Sequence, residues 1–318
     1  MSWFHTLTGF SEKHPAQVRE QLYLDGDRLV SRVNGKSYQV GRLEIPSLGT
    51  LKSACKSLET YNGAISVREI PGEAKELHQR PEYAGATFQA ASQFNLLEMI
   101  NTAKTPEEGV GIYEQDRTQG PACAIACGAG TIYRNYFVPL GDQIGQSAGL
   151  QVDCLEEIGA YFRNPELQLW EMCNGYALAK EDGLRHINKV IGSLSPTEYE
   201  ALKDKLKVGI QWDTEVTLDN RKQLVTQVYC SALPVGYSRV PEDLWEPFAV
   251  FVLEATYEAT FYAALLNYER SGNPNLLLTL VGGGAFGNRP AWIQQAIEKA
   301  CAKFAKAPLE VGMVIYKR

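Results

Sequence analysis

The sequence predicts an α/β fold built on a mixed, largely parallel sheet, entered through a β-rich segment and interrupted by a partly helical insertion. Three observations predict it. Beyond residue 224, strand-like and helix-like periodicities alternate, which argues for parallel strands joined by right-handed crossovers. Leu276 to Val281 is a continuous apolar run, as suits a parallel strand covered on both faces. Before residue 80, short alternating runs stand between turn signals instead.

The elements follow in chain order. Residues 1–80 hold the runs Gln21 to Leu24 and Ser37 to Val40, with turns at Asp25-Gly26-Asp27 and Asn34-Gly35, and are read as a β-rich N-terminal segment. Residues 81–318 are read as the core, interrupted at about residues 139–224. Ala86 to Ala91 reads as a strand that delivers Gln93-Phe94-Asn95 to its C-terminal end, where α/β folds place ligand groups. The insertion offers a helix candidate at Trp170-Glu171-Met172 and a capping box, Ser195-Pro196-Thr197-Glu198, that opens another helix. Val225 to Cys230 reads as a strand. Leu244, Phe248, Phe251, Ala255, Ala259, Tyr262 and Leu266 recur every three or four residues, as an amphipathic helix requires. A strand at Leu276 to Val281, a helix marked by Ile293, Ile297, Ala300 and Phe304, and a strand at Val311 to Tyr316 complete the order.

Composition bounds the function. A chain of 318 residues, 45% hydrophobic and 21% charged, reads as an ordinary globular protein. The net charge of −6 argues against nucleic-acid binding, which draws its affinity from Lys and Arg on phosphates. The apolar stretches Leu276 to Val281 and Phe248 to Leu253 fall short of the roughly 20 residues that span a bilayer, so no membrane partner is expected. The N-terminus lacks a basic region followed by an apolar one, so the expected compartment is the cytoplasm. Seven scattered cysteines fit reduced thiols. With only 4 histidines and no second Cys or His pair beside Cys123 and Cys127, no metal site or cofactor is expected.

Two small-residue runs carry the chemistry. Gly282-Gly283-Gly284-Ala285-Phe286-Gly287-Asn288 lies between the predicted core strand and the next helix, where backbone N–H groups gather around phosphate and glycines admit close approach. It has neither the Lys-Ser/Thr ending of a P-loop nor the Rossmann register. The run Gly120 to Thr131 fits either helix-on-sheet packing or a second cradle for a diphosphate.

The order of these parts resembles the macrodomain superfamily, a three-layer fold. Gln93-Phe94-Asn95 resembles its Asn-bearing strand end, Gly128-Ala129-Gly130-Thr131 its small-residue loop, and Gly284-Ala285-Phe286-Gly287 its later Gly-x-Phe-Gly loop, which together enclose ADP-ribose. The likeness spans roughly residues 86–318 and alters the usual Asn-Ala-Ala-Asn signature to Ala90-Ala91-Ser92-Gln93-Phe94-Asn95. Tyr113 to Ala122 and Tyr133 to Phe137 are similar to a divergent branch that includes a bacterial effector acting on ADP-ribosylated arginine of ubiquitin. The resemblance implies hydrolysis of ADP-ribosyl-arginine, with ADP-ribose and arginine-ADP-ribosylated proteins, ubiquitin among them, as partners.

Cleavage at ribose C1″ has an oxocarbenium-like transition state and needs a carboxylate to orient or deprotonate water. Asp116, just before the second small-residue run, is the first candidate; its bland alternative is a turn residue. Glu108 matches an acidic position of the same branch, although Thr105-Pro106-Glu107-Glu108 also reads as a capping box. Asp213 and Glu215 would share one face of a strand and clamp arginine, or be solvated. Three other readings stay open: a non-catalytic ADP-ribose reader, a hydrolase of O-acyl-ADP-ribose or a related free nucleotide, and a cysteine hydrolase with Cys127 as nucleophile beside His78 or His186.

Overall fold

Seven strands form the central sheet of the computed structural model, which describes residues 2–315. They are β1 (Arg42–Glu44), β2 (Ser66–Pro71), β3 (Thr87–Ala91), β4 (Gly209–Glu215), β5 (Leu224–Cys230), β6 (Asn275–Leu278) and β7 (Glu310–Ile315), in the spatial order β1-β4-β5-β3-β6-β7-β2. From β5 to β2 every neighbour is parallel, and β4 joins antiparallel to both β5 and β1. The sheet is therefore mixed and largely parallel, as the alternation of elements predicts. Tyr316, expected in the last strand, lies outside the described residues.

Helices cover both faces. α1 (Gln119–Ala126) and α2 (Gly128–Tyr136) lie on one, and α3 (Glu242–Ser271) and α4 (Pro290–Lys303) on the other. Buried polar side chains tie each layer to the sheet: Gln227 of β5 donates to the Cys123 carbonyl of α1, and Gln89 of β3 donates to the Thr260 hydroxyl of α3. By length and composition α3 is apolar enough to cross a membrane, but 89% of its most apolar window is buried inside the protein, so it serves as the core helix of the sheet.

The first 80 residues do more than the turn signals announce. Leu22–Asp25, Arg28–Ser31 and Ser37–Gln39 make the expected antiparallel strands, but helices Trp3–Thr8, Pro15–Gln21 and Leu48–Ala54 are interleaved with them. The same segment supplies β1 and β2, the two edges of the central sheet. Within residues 139–224, Ser195 and Glu198 form the expected reciprocal cap of helix Pro196–Lys203. Trp170, read as helical, instead opens strand Trp170–Cys173, paired antiparallel with Tyr176–Ala179. The reason is the Asn174-Gly175 turn, whose φ values of 45 and 81 are both left-handed, as a type I′ hairpin requires.

Candidate functional site

A cleft of about 940 Å³ opens along the C-terminal ends of β3, β6 and β7, the usual ligand position of an α/β sheet. One wall is the loop after β6. Tyr257 of α3 fixes its base, donating to the Thr279 carbonyl and accepting the Val281 N–H. Gly282 then turns at φ +81, where a Cβ would sit 2.7 Å from Asn288 Nδ2. Asn288 closes the loop from inside: its backbone N–H donates to the Gly282 carbonyl and its side chain to the Leu233 carbonyl. Among the described residues the N–H groups of Gly284, Ala285 and Phe286 have no protein acceptor, and all three residues line the cleft. Successive free N–H groups on an irregular loop make an anion-binding concavity.

Four acidic residues among those described line the same cleft, and two of them, Asp116 and Glu98, stand together on the side of the Gly120 helix end. Asp116 follows the 3-10 turn Gly111–Gln115 and accepts the Thr118 N–H at 2.8 Å. Glu98 is only 5% exposed, and its buried Oε1 has no hydrogen-bond partner among the described residues. Burial pushes the Glu98 carboxyl well above the usual carboxylate range; the Arg134 guanidinium opposes the push and the Asp116 charge adds to it. Gly120 makes room for it, since a Cβ there would lie 2.6 Å from Glu98 Oε2. Arg134 is itself buried, with its guanidinium 3.5 Å from the Tyr229 ring centre, and it donates to the Leu96 carbonyl and the Thr131 hydroxyl. Tyr113 links the two acids: its hydroxyl accepts the Glu98 N–H and its carbonyl accepts the Asp116 N–H.

An aromatic wall adjoins these acids. Tyr176, Tyr237 and Phe286 pack with ring centroids 5.0, 5.3 and 5.7 Å apart, and the Tyr176 hydroxyl donates to the Met99 carbonyl. Val67, Ile293, Ile297 and Met313 line an apolar portion of the cleft elsewhere, with Glu69 and Glu298 beside them.

The structure brings Gln93, Asp116 and Gly282 through Phe286 together around the cleft. Gln93 spends its amide on Met99, accepting that residue's N–H and donating to its carbonyl. Phe94 packs into the core, and Asn95 is fully buried, accepting the Leu97 N–H and donating to Gln151. Gly128, Ala129, Gly130 and Thr131 lie inside α2 and do not line the cleft. They bring that helix against its neighbours: a Cβ on Gly130 would sit 2.8 Å from Thr214 Oγ1. Gly287 lies behind the loop against Gly236.

The other acids expected from the sequence, Glu108, Asp213 and Glu215, stand away from the cleft. Glu108 is exposed and pairs with Lys104, and the Thr105 side chain makes no capping bond. Asp213 and Glu215 do not share a face, because a bulge with Asp213 at φ 52 intervenes. Asp213 turns out to Arg270, whereas Glu215 accepts the Gln39 N–H at 2.8 Å. The thiol of Cys127 is buried and held protonated by desolvation. The fully buried His78 stacks on Phe88, and burial lowers its pKa to about 4. His186 is exposed on helix Glu181–Ser193, and none of the three lines the cleft.

Sequence reasoning missed Glu98, Tyr176 and Tyr237. The charge in Leu97-Glu98-Met99, inside an otherwise apolar run, is the one signal that pointed to the first. No family model matches the chain. It is 25% identical over 224 residues to the 3'-5' exoribonuclease HELZ2 of Mus musculus, a match covering 68% of this chain; the chain spans 6% of that relative's length. Among solved structures it is similar to the poly(ADP-ribose) glycohydrolase of Thermomonospora curvata, at a TM-score of 0.46 and 13% identity, covering 94% of this chain and 89% of that one. It is also similar to the poly(ADP-ribose) glycohydrolase of Deinococcus radiodurans in complex with ADP-ribose, at a TM-score of 0.44 and 13% identity, covering 87% of this chain and 88% of that one.

Proposed function

We propose that this chain hydrolyses the N-glycosidic bond between ADP-ribose and an arginine side chain. The observation that carries the reading is one cleft with an open backbone cradle, Gly284 to Phe286, and two unlike carboxyl groups, Asp116 and Glu98. The cradle receives the diphosphate, and the apolar portion takes the adenine. The aromatic wall and the acids meet the bond to be broken, a setting that suits a planar guanidinium. The motifs around Tyr113 to Ala122 support the arginine linkage.

In this mechanism Asp116 takes a proton from water as the oxygen attacks C1″. The C1″–N bond breaks, its electron pair passing to the guanidine nitrogen, and Glu98 supplies the proton that restores the guanidinium. The environments of the two acids suit these opposite roles, since burial keeps a proton on Glu98.

Asp116→Asn and Glu98→Gln should each cut kcat about 10²–10⁴-fold on an arginine-linked substrate while leaving ADP-ribose affinity within a few fold. Because the Glu98 carboxyl is pushed upward, its acid form is lost as pH rises through the raised pKa, so wild-type activity should fall on the alkaline side. Glu98→Gln should lack that limb. A panel of arginine-, glutamate- and serine-linked substrates completes the test: release from arginine is expected, and release from glutamate alone overturns the linkage. Full turnover by Asp116→Asn would remove its assigned role.

A further inference from the structure

The segment that carries Asp116 is tied from outside the cleft to the N-terminal residues, by the Trp3 N–H on Glu114 and, more extensively, by the carboxyl group of Glu12. Glu12, in the loop between helices Trp3–Thr8 and Pro15–Gln21, accepts the Val110 N–H on Oε1 at 3.0 Å and the Gly111 N–H on Oε2 at 2.6 Å. The Tyr136 hydroxyl of α2 donates to Oε1 at 2.7 Å. The sequence around the receiving backbone is fitted to this contact. Gly109 has φ +88, and a Cβ there would lie 2.4 Å from the Glu12 carboxyl carbon. A Cβ on Gly111 would lie 2.8 Å from Oε2. The presenting loop is braced in turn: Lys13 donates its N–H to the Gln17 side chain, which donates to the Ser11 carbonyl. Phe10 packs edge-on against Phe4.

From this latch the connection to the cleft is short. The 3-10 turn Gly111–Gln115 begins at the latched amides and contains Tyr113, whose hydroxyl and carbonyl receive the N–H groups of Glu98 and Asp116. We infer that Glu12 is a positioning residue that fixes residues 109–116 and, through Tyr113, sets both cleft acids. The inference rests on the hydrolase reading for its catalytic consequence and on the latch geometry alone for its structural one. Burial raises the pKa of the Glu12 carboxyl, and its bonds from the Tyr136 hydroxyl and from two successive backbone N–H groups oppose that rise, so the contact is fixed by three donors on one side chain. Preorganised acids are what such a contact gives a catalyst, whereas the diphosphate cradle lies on a different loop.

The test uses the full chain with Glu12→Gln, which keeps the shape but cannot accept on both atoms, and Tyr136→Phe, which removes one donor. Hydrogen exchange should accelerate at least about tenfold over residues 109–116 in Glu12→Gln, and less in Tyr136→Phe, with residues 282–287 unchanged. Turnover, read on whichever linkage the wild-type chain cleaves, should fall about tenfold in kcat with ADP-ribose affinity and KM within twofold. Unchanged exchange at 109–116, a rise spread evenly over the molecule, or full kcat despite local opening overturns the inference. A wild-type chain that cleaves no linkage sinks the hydrolase reading, and the exchange result then decides the latch by itself.

Discussion

The two glycine-rich runs use the same residue for opposite ends. Gly282 to Gly287 is irregular backbone on the cleft wall, where three consecutive N–H groups have no acceptor among the described residues. Gly120 to Thr131 is almost entirely helical and buried, and its glycines shorten the distance between a helix and what it packs against. A glycine count therefore says little about ligands until the backbone's own hydrogen bonds are assigned. Gly120 stands at the junction, because it packs against the Ala91 carbonyl and also clears space for Glu98.

Substitutions in the two runs should fail differently. The largest expected effect is that of Gly284→Glu. Its Cβ would meet only Thr118 Cγ2, at 3.9 Å, so the chain should fold normally while placing a negative charge beside the diphosphate. ADP-ribose affinity by calorimetry should fall at least about 100-fold with an unchanged Tm. Undiminished affinity would remove the cradle from the account.

Gly130→Val sharpens the other half. Overpacking against Thr214 and Gln211 should cost roughly 1–3 kcal/mol of stability in denaturant unfolding, while the folded fraction keeps its ADP-ribose affinity within about threefold. A selective loss of affinity without loss of stability would assign the buried run to the ligand after all.

The difference between the runs also explains what was legible in the sequence. Three glycines directly after a continuous apolar run leave few structures other than an open loop, so Gly282 to Phe286 could be read as a candidate cradle from the residues alone. Asp116 was legible because it precedes the helix that begins at Gln119. Gly128 to Thr131 has the same small residues but no turn chemistry, and helix-on-sheet packing satisfies that pattern equally well. Glu98 sits between Leu97 and Met99, and what holds it at the cleft is the Tyr113 hydroxyl on its own N–H and the Gln93 amide on the N–H of Met99, contacts that no local pattern announces. The same holds for Tyr176, which arrives on a hairpin whose Asn174-Gly175 turn outweighs the helical look of Trp170 to Met172. The bulge at Asp213 likewise separates two acids that strict alternation would have paired.

The measurement that tests the central claim most directly is a crystal structure of the full chain with ADP-ribose. The account predicts the diphosphate on the N–H groups of Gly284, Ala285 and Phe286, with C1″ of the distal ribose facing Asp116 and Glu98. ADP-ribose seated elsewhere, or its C1″ turned toward Val67 and Met313, would contradict it.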